Sequence, residues 1–138
     1  MSNNYETTVK TQGARGGTVS SDDGRLNLNL SVPKAIGGDD GPGTNPEQLF
    51  AAGYGACFQG ALGLVARQQG LKLPEDTTVT ATVGMAKDDV SFSLNAKLVG
   101  HFPGMDHAQA QALMEQTLEV CPYSRATKGN MVTTVSVE

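Results

Sequence analysis

Residues 45–70 read NPEQLFAAGYGACFQGALGLVARQQG, and the fold turns on how this stretch is read. Thr44 or Asn45 supplies a helix cap, Pro46 suits the first turn, and Glu47 complements the amino-terminal end of the helix dipole. If Thr44 is the cap, Glu47 completes a capping box. Gly70 is the expected stop, so the spacing predicts a helix running to about Gln69. Between Leu49 and Ala66 there are eighteen residues without a charge. That is long enough for a membrane span, but Tyr54, Gln59 and the many Gly and Ala residues make the stretch weakly hydrophobic. It reads as a soluble helix buried on all sides. Gly53, Gly55, Gly60 and Gly63 each cost about 1 kcal/mol relative to Ala in a helix. Close approach of another backbone is the expected compensation.

Strands flank this helix. On its amino-terminal side Thr7, Val9 and Thr11 precede the Gly-rich turn Gly13-Ala14-Arg15-Gly16-Gly17. Thr18-Val19-Ser20 then leads to the hairpin signal Asp22-Asp23-Gly24. Leu26, Leu28, Leu30 and Val32 alternate with polar residues, the mark of a strand with one buried face, and Pro33 ends it. Residues 36–44 (IGGDDGPGT) read as a flexible surface loop, with no Gly-Lys-Ser/Thr to make a phosphate cradle. On the carboxyl side, residues 77–86 and 90–99 form a β-hairpin joined by Lys87-Asp88-Asp89. Residues 106–120 form an amphipathic helix capped by Asp106, and residues 131–137 a last strand. The order predicts a single α+β domain over residues 1–138 with one antiparallel sheet of about six strands. One sheet covers only one side of a helix buried all round, so a second copy of the chain is expected to cover the rest, in an obligate two-fold homodimer.

Composition agrees with a shared core. Leu, Val, Phe and Ile together supply only 29 of 138 residues, and there is no Trp. Ten basic against fourteen acidic residues, a net charge of −4, leave no basic excess for nucleic acid. The start, MSNNYETTVK, has no apolar stretch of the secretory kind. Two cysteines without such a signal fit a reducing cytoplasm.

Those cysteines are Cys57, in the middle of the neutral helix, and Cys121, followed at once by Pro122. Cys121 reads as the cap of a new helix with Pro122 at its first position, where free backbone N–H groups favour a thiolate. Burial as inert structural thiols is the competing reading. Zinc is disfavoured because His101, read as a loop residue, and His107, read as a first-turn helix residue, have no companion ligands at metal spacing.

Two segments tip the balance. Asn45–Phe58 (NPEQLFAAGYGACF) and Val120–Asn130 (VCPYSRATKGN) closely resemble the signature segments of the organic hydroperoxide resistance (Ohr) branch of the OsmC/Ohr family. The resemblance extends over nearly the whole chain. It implies an OsmC-like fold, in which antiparallel sheets wrap around central helices in an intertwined homodimer. It also implies a cytoplasmic, thiol-dependent peroxidase acting on organic and fatty-acid hydroperoxides, with no bound cofactor and no metal. By motif position Cys57 matches the peroxidatic cysteine and Cys121 the resolving one. Arg15 matches the arginine that stabilises the thiolate, and Glu47 the glutamate that holds that arginine. The expected reductant is an external dithiol, dihydrolipoamide carried on a lipoylated protein. No nucleic-acid or membrane partner is expected.

Helix geometry adds one expectation. Glu47 and Cys57 stand about 15 Å apart along a helix and point roughly 80° apart, so one arginine is poorly placed to serve both within a chain. In a two-fold dimer with antiparallel central helices, Glu47 of one chain would lie near Cys57 of the other, a composite site. A non-catalytic small-molecule binding dimer with inert thiols, and an interaction protein whose glycine-rich helix only dimerises, are the alternatives.

Overall fold

The computed structural model describes residues 2–138. They form two compact units, one ending at Leu49 and the other running from Phe50 to Glu138. The chain is α+β, but its strands form two three-stranded sheets, not one sheet of about six.

The first unit holds β1 (Val9–Gln12), β2 (Thr18–Ser21) and β3 (Asn27–Asn29), paired antiparallel in chain order. The β1–β2 hairpin turns through residues 13–17, where Ala14–Gly16 make a single 3-10 turn. Gly17 is required there, because a Cβ would stand 1.8 Å from the Gln12 carbonyl oxygen. The expected alternating strand is shorter than the pattern, and its face is thinly covered: Leu30 is buried but Leu28 is 38% exposed. Residues 36–44 are also less free than expected. Asp40 N–H donates to Val32 O, Ser31 N–H to Thr44 O, and Thr44 N–H to Asn29 O. The backbone's own hydrogen-bond demand ties the loop down.

The long helix, α1, runs Pro46–Gln68. Asn45 is its cap: the side-chain oxygen accepts the Gln48 N–H at 2.9 Å. The capping box through Thr44 and Glu47 does not form, which leaves the Glu47 carboxylate free for another partner. At the far end Gly70 is left-handed (φ +70°). Leu71 N–H donates to Ala66 O and Gly70 N–H to Arg67 O, the paired bonds of a Schellman stop.

Burial of α1 departs from expectation. Within one chain only Tyr54, Phe58, Leu62, Val65 and Ala66 are buried, a single stripe at helical spacing. Leu64 is 43% exposed. Among the described residues no atom outside the helix's own backbone would lie within 4 Å of a Cβ at Gly60, so none of them supplies the neighbouring backbone expected there. The helix is long and apolar enough to cross a membrane by length and composition, yet its buried stripe packs into the core of the second unit.

That core is set by the second sheet. Strands β4 (Thr78–Lys87) and β5 (Phe92–His101) are antiparallel, and β6 (Val132–Val137) lies parallel to β5. The parallel strand corrects the all-antiparallel expectation. Its cause is the long connection from β5, which carries α2 (His107–Thr117) and α3 (Pro122–Thr127) and so can return the chain in the same direction. Register puts Ala81, Leu98 and Val135 in one row and Val83, Ala96 and Thr133 in the next. Ala81, Val83, Ala96, Leu98 and Val135 of these rows pack in one cluster with the Tyr54–Phe58–Leu62 stripe and Ala110, Leu113 and Met114 of α2. The hairpin turn is longer than Lys87–Asp89: Lys87 pairs with Phe92, and Asp88 accepts the N–H groups of Val90 and Ser91. His101 ends β5 and is not a loop residue. Asp106 caps α2 as expected, accepting the Gln109 N–H at 3.0 Å.

Asn45→Ala removes the one side-chain acceptor at the start of α1. It is expected to cost about 1 kcal/mol of unfolding free energy in a urea titration; an unchanged midpoint would count against this capping.

Candidate active site

The site residues come from two places in the chain. In the first unit, Arg15 sits at the tip of the β1–β2 hairpin. Ala14, just before it, is left-handed (φ +53°), an uncommon conformation for a residue with a Cβ. A ladder of backbone bonds brings the start of α1 to this turn. Leu30 N–H donates to Gly17 O, and Leu30 bridges Thr44, one residue before the Asn45 cap. Glu47 thus meets Arg15 with both oxygens: Nη1 donates to Oε1 at 2.7 Å and Nη2 to Oε2 at 3.2 Å. This is the bidentate fork that a planar guanidinium makes with a carboxylate. The hydrogen bond from Arg15 to Glu47 pushes the arginine's pKa above its ordinary value, with their charge attraction adding to it. The guanidinium keeps 40% side-chain exposure against 19% for its partner, so Glu47 orients it without covering it.

In the second unit, Cys57 lies mid-α1 and is partly buried, whereas Cys121 is fully buried. Cys121 is the cap residue of α3 with Pro122 first in the helix, as the sequence suggested. Its N–H donates to Thr117 O and its carbonyl accepts from Arg125 N–H, which fixes it between α2 and α3. The thiols are free and are neighbours. Burial pushes the Cys57 thiol above its ordinary value, and the charge and hydrogen bond of Cys121 add to the rise; a backbone hydrogen bond from Tyr123 opposes it. The amide that helps a thiolate at the start of α3 is therefore aimed at Cys57, not at Cys121 itself. Burial and the second thiol thus outweigh the one amide. Among the described residues no three His, Cys, Asp or Glu side chains cluster as metal ligands.

Aromatic residues share the core cluster of the two thiols. Phe50, Tyr54 and Tyr123 meet with ring centroids 5.7–6.2 Å apart, and Tyr54 also approaches Phe58. Sequence reasoning passed over Ser124, which is buried and hydrogen-bonded to Tyr54 at 2.6 Å. Its only signal was its place three residues into the α3 cap sequence.

This arrangement can be set beside known proteins. Over residues 37–136 the sequence matches the OsmC-like protein family, and the chain belongs to that family. Its similarity there is to organic hydroperoxide resistance proteins. The one from Xanthomonas axonopodis pv. citri (strain 306) is 44% identical over 96% of this chain and 94% of its own length. Among solved structures, an organic hydroperoxide resistance protein from Legionella pneumophila superposes with a TM-score of 0.93 at 42% identity, covering 99% of each chain. OhrB of Bacillus subtilis gives 0.87 at 39% identity, covering 97% of this chain and 98% of its own.

Because Cys121 raises the Cys57 pKa through both its charge and its hydrogen bond, Cys121→Ser should move the Cys57 titration to lower pH. Ultraviolet thiolate absorbance across a pH series reads this directly. A midpoint that stays put or rises would show that burial alone sets it.

Proposed function

We propose that this protein is a thiol-dependent peroxidase that reduces organic and fatty-acid hydroperoxides to alcohols. The observation that carries the reading is the adjacency of Cys57 and Cys121, with a free amide beside the former, in a chain whose relatives bear organic hydroperoxide resistance in their names. The Cys57 thiolate attacks the distal oxygen of the hydroperoxide. The O–O bond breaks, the alcohol leaves with a proton, and Cys57 becomes a sulfenic acid. The Cys121 thiol then displaces water to give a Cys57–Cys121 disulfide. An external dithiol, dihydrolipoamide on a lipoylated protein, restores both thiols by exchange; no cofactor is bound. The apolar surroundings of Cys57 favour greasy peroxides over hydrogen peroxide.

A buried thiol with a raised pKa needs a cation to ionise at neutral pH. Arg15, held open by Glu47, is assigned that role. The working unit is taken to be a cytoplasmic homodimer in which Glu47 of one chain lies near Cys57 of the other. Two features favour a second copy. The first sheet buries little beyond Val19 and Leu30, and the Gly60 face of α1 lies open. Neither nucleic acid nor membrane is assigned as a partner.

The complete burial of Cys121 and the raised Cys57 pKa favour the second reading, a small-molecule binding dimer with inert thiols. One experiment separates the two. Reduced protein is treated with one equivalent of cumene hydroperoxide and followed by thiol titration and intact mass. The peroxidase loses two thiols and two mass units. Cys57→Ser loses all turnover with dihydrolipoamide, and Cys121→Ser gives one turnover before over-oxidation. Multiple turnover retained by Cys57→Ser would overturn the proposal.

The dimer has its own test. In a lone chain Gly60→Ala should raise helix stability by about 1 kcal/mol. With a second backbone against that face it should instead lower the melting temperature and shift size-exclusion elution toward monomer, which is the expected result. A stabilised, still monomeric variant would argue against this interface.

A further inference from the structure

The Tyr54–Ser124 hydrogen bond joins residues seventy positions apart, and it joins the two helices that carry the thiols. Tyr54 lies one helical turn before Cys57 on α1, and Ser124 lies three residues after Cys121 on α3. Both side chains are buried, Tyr54 completely. A second contact acts at the same place. Tyr123 leans over α1 with its hydroxyl above Gly53, where an added Cβ would stand 2.8 Å from Tyr123 Oη. The ring of Tyr123 packs on Phe50 and Tyr54, and its backbone reaches Cys57.

We propose that Tyr54 and Ser124, with the notch at Gly53, form a clamp that presses the start of α3 against α1 and so holds the Cys121 thiol beside Cys57. They are positioning residues. They touch neither peroxide nor reductant, and they act by raising the effective concentration of one thiol at the other. The assignment of this role to a peroxidase cycle rests on the function proposed above, but the clamp concerns only how readily the two sulfurs join.

The clamp is therefore tested without peroxide. In glutathione buffers the protein dithiol and oxidised glutathione exchange with the protein disulfide and two reduced glutathione molecules, and the equilibrium gives the effective concentration of Cys121 at Cys57. Tyr54→Phe and Ser124→Ala each remove the bond with little change of shape. Each substitution removes a single oxygen and no carbon, so the variants are expected to fold. Each should lower the effective concentration by about tenfold, the worth of one buried hydrogen bond. The double variant should fall no further than either single one, since both delete the same bond. Leu98→Val, which loosens the same core from the sheet, should leave the value unchanged, as a merely structural role would not predict. Values for Tyr54→Phe and Ser124→Ala within about twofold of the parent, or matched by Leu98→Val, would overturn the clamp. So would a parent protein that forms no Cys57–Cys121 bond in glutathione. A parent that forms the bond with oxidised glutathione but not with cumene hydroperoxide would instead overturn the peroxidase reading, and the variants would still decide the clamp.

Discussion

Everything in the second unit hangs on one constraint: α1 has no charge for eighteen residues, so whatever face it leaves to water is apolar surface or bare backbone. A single chain answers only part of that demand. The stripe from Tyr54 to Val65 fits the inner rows of β4, β5 and β6, while Gly60 and Leu64 are left open. Cys57 on this helix is neither fully covered nor open. Its ionisation depends on how the helix is finally enclosed, because enclosure sets its dielectric surroundings.

The Arg15–Glu47 pair of the first unit obeys a different logic. Arg15 is placed by backbone bonds rather than by packing. Gly17 lets the hairpin close, Leu30 ties to Gly17, and Thr44 ties to Leu30. The carboxylate that receives the guanidinium then emerges in the first turn of α1. A bidentate charge pair is built here from residues of little hydrophobic worth. Irregular segments with fully assigned backbone bonds can be as definite as helices.

Much of this was legible in the sequence wherever the signal is local. The Asn45-Pro46 start, the Gly70 stop, the Asp106 cap and the Cys121-Pro122 cap each rest on a few adjacent residues, and each formed. The β1–β2 and β4–β5 hairpins were likewise announced by their turns, though Asp88 lengthened one of them by accepting two amides. What was missed depends on residues far apart. Nothing in MVTTVSV distinguishes a parallel from an antiparallel neighbour, because period two serves both. The division into two sheets and the single buried stripe of α1 are decided by packing that no window of sequence contains. The Tyr54–Ser124 bond is invisible for the same reason. The Arg15–Glu47 pairing was expected through family resemblance, whereas the Gly17–Leu30–Thr44 ladder that builds it has no sequence signature.

The parallel strand β6 has a consequence for the order in which this protein is made. The β4–β5 hairpin closes over a few residues and forms early, but β6 must wait for the chain to return across residues 102–131, and such distant pairings are slow to establish. Cys121 travels inside that returning segment. It meets Cys57 only when that segment docks, because the two sulfurs are sixty-four residues apart in the chain. The two thiols thus become neighbours through the same long-range return of the chain that completes the second sheet.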